Sequence, residues 1–141
     1  PGEPRRLSIS SSAASRPPKA LEGQRVLVVD DNADAAEALG KLLHRAGCEL
    51  EIALDGPTAL SRAHEFHPTA VLLDIGLPGM DGYEVARRLR AEEGDEHALL
   101  VAITGYGQEE DMRLSRDAGF DWHLVKPVDV GKIQQLLETR A

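Results

Sequence analysis

From Gln24 onward the sequence predicts an α/β domain in which five parallel strands form one doubly wound sheet with helices on both faces. Three observations carry this. Five short apolar runs alternate with five amphipathic stretches, Gly or Pro follows each of the first four helices, and four strand ends carry Asp, Thr or Lys. Strict alternation of strand and helix is the pattern of parallel crossover units.

The first strand is Arg25-Val26-Leu27-Val28-Val29, leading into Asp30 and Asp31. A helix follows from Asp34 to Ala46, with Asn32 or Asp34 able to cap it and Gly47 ending it. The second apolar strand begins after Cys48, and the second helix runs from Gly56 to Phe66, with Pro68 beyond it. Ala70-Val71-Leu72-Leu73 is the third strand and leads into Asp74. The third helix spans Gly82 to Glu92 and stops before Gly94. Ala98 to Ile103 forms the fourth strand, leading into Thr104, and the fourth helix runs from Glu109 to Ala118, closed by Gly119. Trp122-His123-Leu124-Val125 leads into Lys126, and Asp129 caps a last helix from Val130 to Thr139. Right-handed crossovers allow the strand order 2-1-3-4-5, with a reversal between strands one and three. Ligand crevices form at such a reversal, and its lips here are Asp30-Asp31 and Asp74.

Composition fits one domain. The 141 residues are 42% hydrophobic but only 4% aromatic, enough for a Val/Leu/Ile/Ala core. Residues 1–23 are rich in Ser, Pro, Arg and Gly and read as a flexible linker, which leaves 24–141 as the folded domain. The first residue is Pro rather than Met, so the chain is expected to come from a larger protein. A formal charge of -8 with scattered Lys and Arg argues against a direct nucleic-acid partner. Cys48 is the single cysteine, so no internal disulfide can form, and it reads as a packing residue. No apolar run approaches the roughly 20 residues of a membrane helix, so a cytoplasmic domain without membrane contact is expected.

Asp30, Asp31 and Asp74 repel one another unless a cation neutralises them. Oxygen ligands at a shallow site suit Mg2+, which keeps several waters and accepts a few carboxylates together with a phosphate oxygen. The spacing is not that of a calcium-binding helix-loop-helix, and no His or Cys clusters with these acids as zinc prefers. An Asp carboxylate beside such an ion can attack phosphorus and become an acyl phosphate. Asp74, alone at its strand end, is the candidate nucleophile, and the adjacent acidic pair suits the metal. The incoming oxygens need a cation and a hydroxyl, which Lys126 and Thr104 supply.

The runs Val28-Val29-Asp30-Asp31-Asn32, Leu73-Asp74-Ile75-Gly76-Leu77-Pro78-Gly79-Met80-Asp81-Gly82, Ala102-Ile103-Thr104-Gly105 and Val125-Lys126-Pro127 resemble the receiver domain of two-component response regulators. The likeness covers residues 24 to 139. It implies a flavodoxin-like (βα)5 fold in which a phosphoryl group passes from the phosphohistidine of a histidine kinase, or of a histidine phosphotransfer domain, to Asp74. It implies Asp31 as a direct Mg2+ ligand, Asp30 through water, the main-chain carbonyl of Gly76 as a further ligand, and a cis Lys126-Pro127 peptide. It also implies a switch in which Thr104 moves toward the phosphate and the side chain three residues before Lys126 swings inward. That side chain is usually Tyr or Phe; here it is His123. Gly76 and Tyr106, each two residues beyond a site residue, are expected to modulate phosphate lifetime. The preceding linker resembles the setting of a C-terminal receiver in a hybrid sensor histidine kinase, with a stand-alone regulator as the runner-up. In either setting the resemblance implies that the domain catalyses its own aspartyl phosphorylation and dephosphorylation.

Other classes fit less well. Haloacid dehalogenase-type phosphatases carry a second Asp two residues after the nucleophile, where this chain has Gly76, and they enclose substrate under a cap domain. A flavodoxin-type cofactor site needs a hydroxyl-rich phosphate loop, which Asp30-Asp31 would oppose. A docking module that is never phosphorylated finds no support in the sequence, since all five site residues are present.

Overall fold

A computed structural model describes residues 21–93, 98–105 and 109–140. The elements run β1 (Arg25–Val29), α1 (Ala33–Arg45), β2 (Glu49–Ala53), α2 (Gly56–Phe66), β3 (Ala70–Asp74), α3 (Gly82–Glu93), β4 (Leu99–Thr104), α4 (Glu109–Ala118), β5 (Trp122–Val125) and α5 (Val130–Arg140). All five strands are parallel in the order β2-β1-β3-β4-β5, as expected. The reversal between β1 and β3 is therefore present. Gly94 lies outside the described residues.

Every residue of the central strand β3 is buried, whereas β2 and β5 at the edges are largely half-exposed. Alternate side chains feed two cores on opposite faces of the sheet. One gathers Leu27, Val29, Val71, Leu73, Leu100 and Ala102 with Val85 and Leu89 of α3. The other gathers Val26, Val28, Leu72, Val101 and Ile103 with Leu43 of α1 and Ile133 and Leu137 of α5. Cys48 is buried in the second core, and burial pushes its thiol up to about 11, so it stays protonated and packs. Among the described residues no helix is long and apolar enough to cross a membrane.

The helix caps are side chains that satisfy otherwise orphaned amides. Asn32, rather than Asp34, caps α1 by accepting from the Ala35 amide at 3.1 Å. Asp129 accepts from the Gly131 amide at 2.9 Å at the start of α5. Two further caps come from aspartates: Asp55 accepts from the Thr58 amide at 2.8 Å for α2, and Asp81 from the Glu84 amide at 3.0 Å for α3. The hydrogen bond to Thr58 holds the Asp55 carboxyl below its usual range. Helix α2 stops at His67, whose φ of 53° is left-handed, one residue ahead of the expected Pro68. Pro68 has no amide hydrogen to continue the helix, so the turn is made before it.

Composition places Leu21 in the linker, yet it is 1% exposed and packs in the second core. Its amide donates to the Ala46 carbonyl at 2.8 Å. Gln24 follows, donating through Nε2 to Leu137 O at 3.3 Å and accepting from Thr69 Oγ1 at 2.7 Å. The packed part of the chain thus begins ahead of residue 24.

Candidate functional site

Parallel register brings the site together. Val29 pairs with Leu73, Asp74 with Ile103 and Thr104 with Val125, so the residues at the ends of β1, β3, β4 and β5 meet along one rim. Asp74 and Thr104 are the last residues of their strands rather than the first residues beyond them. Membership in the ladder holds both backbones in place and buries both residues, at 8% and 6% exposure. Lys126 is fixed next to them because its amide donates to the Thr104 carbonyl at 2.7 Å, and the Lys126-Pro127 peptide is cis.

Asp30, Asp31 and Asp74 each present a carboxylate oxygen within 4.8 Å of the others. Lys126 Nζ donates to Asp74 Oδ2 at 3.0 Å, and the Gly76 amide donates to Asp74 Oδ1 at 2.9 Å. The two contacts put a donor on each carboxylate oxygen and so fix the orientation of the Asp74 side chain. Burial, reinforced by the neighbouring Asp74 charge, raises the Asp30 carboxyl above 3.8, against the opposing hydrogen bond from the Asn32 amide. Burial alone would lower Lys126, but the Asp74 hydrogen bond and the charges of Asp74, Asp30 and Asp31 outweigh it and raise Lys126 above 10.5. Among the described residues the three carboxylates thus share the Lys126 ammonium group, and the residual negative charge lies at a rim where Asp31 is exposed. Such an all-oxygen donor set, short of positive charge, fits a hard divalent cation.

The loop after β3 is closed by glycine. The Gly82 amide donates to the Ile75 carbonyl at 3.1 Å, and a Cβ at Gly82 would stand 2.7 Å from Ile75 Cα and 2.9 Å from the Asp74 carbonyl. Only glycine lets α3 start this close to Asp74. The sequence marks Gly82 as a helix start but does not reveal this approach.

His123 is not at the rim. It lies inside β5 beside Ala102, with Nδ1 2.9 Å from Ser115 Oγ of α4. Ser115 is 2% exposed and was missed by sequence reasoning. Its signal was a hydroxyl three residues before buried Ala118, where the inward stripe of a helix calls for an apolar residue. Tyr106 lies outside the described residues.

Residues 26–138 match the family described as the response regulator receiver domain. The chain belongs to that family. As a receiver domain of two-component signalling, it is 41% identical over 104 residues to the DNA-binding response regulator MtrA of Mycobacterium tuberculosis, a match covering 74% of this chain and 44% of that protein. It is 33% identical over 135 residues to hybrid signal transduction histidine kinase L of Dictyostelium discoideum, covering 92% of this chain and 8% of the kinase. The receiver domain therefore spans less than half the length of these relatives. Among solved structures, Vibrio cholerae chemotaxis protein CheY4 superposes with a TM-score of 0.78 at 25% identity, covering 84% of this chain and 98% of that one. The receiver domain of sensor histidine kinase PA1611 from Pseudomonas aeruginosa, solved with a magnesium ion in its active-site cleft, gives a TM-score of 0.75 at 29% identity, covering 83% and 96%.

Proposed function

We propose that this receiver domain takes a phosphoryl group from the phosphohistidine of a histidine kinase or histidine phosphotransfer domain onto Asp74. The contact of Lys126 with Asp74 inside a cluster of three carboxylates is the observation that carries the reading. An Asp74 carboxylate oxygen attacks phosphorus, and an O–P bond forms as the N–P bond of the donor breaks. The bonding pair leaves with the imidazole nitrogen. Lys126 passes from Asp74 Oδ2 to a phosphoryl oxygen, and the Thr104 hydroxyl donates to another. Asp30, Asp31, Asp74 and the Gly76 main-chain carbonyl would hold Mg2+, which when bound supplies charge neutralisation to the phosphoryl oxygens. The magnesium in the PA1611 receiver supports this cofactor.

Thr104 and His123 form the internal switch, and the face of α4, β5 and α5 is its output. Gly76 and Tyr106 tune the lifetime of the acyl phosphate. Similarity to a hybrid kinase over 92% of the chain supports attachment to such a kinase in the cytoplasm. Similarity to MtrA supports the other setting, a response regulator without an attached kinase.

Incubation with Mg2+ and acetyl phosphate tests the reading. Intact mass is expected to rise by one phosphoryl group in the wild type and to stay unchanged in Asp74→Asn and Asp74→Ala. A gain that persists in both variants would place the nucleophile elsewhere.

A further inference from the structure

We infer that Asn32 is a positioning residue for the metal site, holding the carboxylate of Asp30 in place from the first turn of α1, an inference that rests on the phosphoacceptor reading above. Three contacts converge on it. Its amide donates to Asp30 Oδ1 at 2.9 Å, its side-chain Oδ1 accepts from the Ala35 amide at 3.1 Å, and its carbonyl accepts from the Ala36 amide at 3.0 Å. Asn32 thus grips Asp30 on one side and the helix on the other.

The helix is itself well anchored. Ala36 and Leu43 of α1 are buried in the second core, whereas Asp31 and Asn32, between strand and helix, are exposed. Upstream, the Asp30 amide donates to the Ala53 carbonyl at 3.1 Å, so the exposed turn is pinned at both ends. Within it, Asp30, Asp31 and Asp74 bring carboxylate oxygens within 4.8 Å of one another, and their like charges push the side chains apart. The Asn32 amide opposes this at Asp30, because a donor on one oxygen directs the whole planar carboxylate. That amide points at Asp30 with Asn32 in the extended cap conformation, φ -87° and ψ 102°, and the side-chain bond to Ala35 favours that conformation. A turn already in its ligand-bearing shape spares the metal the cost of ordering it.

Losing the side-chain bond moves that ordering cost onto metal binding, so affinity falls by no more than the strength of a helix cap. Calorimetric titration of the full chain with Mg2+ is the test, with thermal melts in EDTA alongside. Asn32→Ala is expected to raise the Mg2+ dissociation constant roughly two- to tenfold, and Asn32→Ser, whose hydroxyl can take the same cap bond, to restore it to within about twofold of wild type. Asn32→Gly separates position from stability, because glycine is nearly as good a cap for the helix but has no side chain to tie the turn. Its melting temperature should stay close to that of wild type while its dissociation constant rises at least as far as that of the alanine variant. A merely structural cap would instead show as a lower melting temperature for alanine, with all four chains binding Mg2+ alike. Equal dissociation constants in the wild type and the alanine and glycine variants, or a serine variant as weak as alanine, overturn the role of Asn32 while leaving the metal reading intact. Mg2+ binding that is absent from the wild type, or that Asp31→Asn leaves undiminished, overturns both.

Discussion

Asp30 holds its proton more tightly in the folded chain than in the unfolded one, because burial and the Asp74 charge both disfavour its ionised form. Its contribution to stability is therefore full below pH 3.8 and is lost as pH rises through the raised folded value. At neutral pH the ionised group weighs against the metal-free fold. Lys126, raised above 10.5, acts in the other direction: its contribution is present at neutral pH and is lost only as pH climbs through that higher value. Asp30→Asn keeps an oxygen for the Asn32 amide and removes the charge. In EDTA it is expected to melt a few degrees above wild type at pH 7, with the difference closing as pH falls through the raised folded value toward 3.8. Mg2+ should reverse the order, since a ligand that binds only the folded state adds about 2.7 kcal/mol at a hundredfold excess over its dissociation constant. The wild type should gain more of that than the variant. A lower melting temperature for Asp30→Asn in EDTA at pH 7, or an equal Mg2+ shift in both chains, would count against the charge-crowding account.

Elements meet the site through backbone contacts as well as side chains, and glycines separate the two cases. At Gly82 a Cβ would collide with the backbone of Ile75 and Asp74, which cannot give way without moving the end of β3. At Gly105 a Cβ would meet nothing within 4 Å. Gly82→Ala is therefore expected to cost about 1–3 kcal/mol in urea unfolding and to slow acyl-phosphate formation, whereas Gly105→Ala should leave stability within about 0.5 kcal/mol. Equal stability of the two variants would refute the close-approach argument. A second tie at this scale is Arg90 of α3, which donates to the carbonyls of Gly119 and Ala98 at 2.9 and 2.8 Å and to Asp121 Oδ2 at 2.7 Å. Asp121 Oδ2 also accepts from the Leu100 amide. One guanidinium thus ties α3 to the start of β4 and to the α4–β5 turn. Arg90→Met removes the guanidinium donor to the Gly119 and Ala98 carbonyls and to Asp121, and should cost about 2 kcal/mol by the same measurement, with phosphorylation of Asp74 retained.

These ties also explain which parts of the molecule could be read from the sequence. Strands and helices follow from local period, and Asp30, Asp31, Asp74, Thr104 and Lys126 follow from their places at the ends of apolar runs, because parallel topology aligns such ends. Gly82, Ser115 and Arg90 matter through partners distant in sequence or through atoms that a side chain would displace, and neither leaves a local pattern. Leu21 is the clearest case at the scale of the whole domain. Its Ser- and Pro-rich surroundings read as tether, yet its side chain fills a space in the core with Leu43 and Leu137 nearby in the same cluster, and its amide binds the end of α1. Composition averages over a window, so one apolar residue at the edge of a polar segment is outvoted. A chain beginning at residue 24 would leave that space open, with the Ala46 carbonyl unpaired. Compared with a chain beginning at residue 20, it is expected to lose about 2–4 kcal/mol in urea unfolding, as for a buried leucine cut back to its backbone. Leu21→Ala in the longer chain should reproduce most of that loss, because the side chain and not the tether carries the effect. If the two chains unfold at the same urea concentration with the same slope, Leu21 contributes nothing to the core, and the domain begins at residue 24.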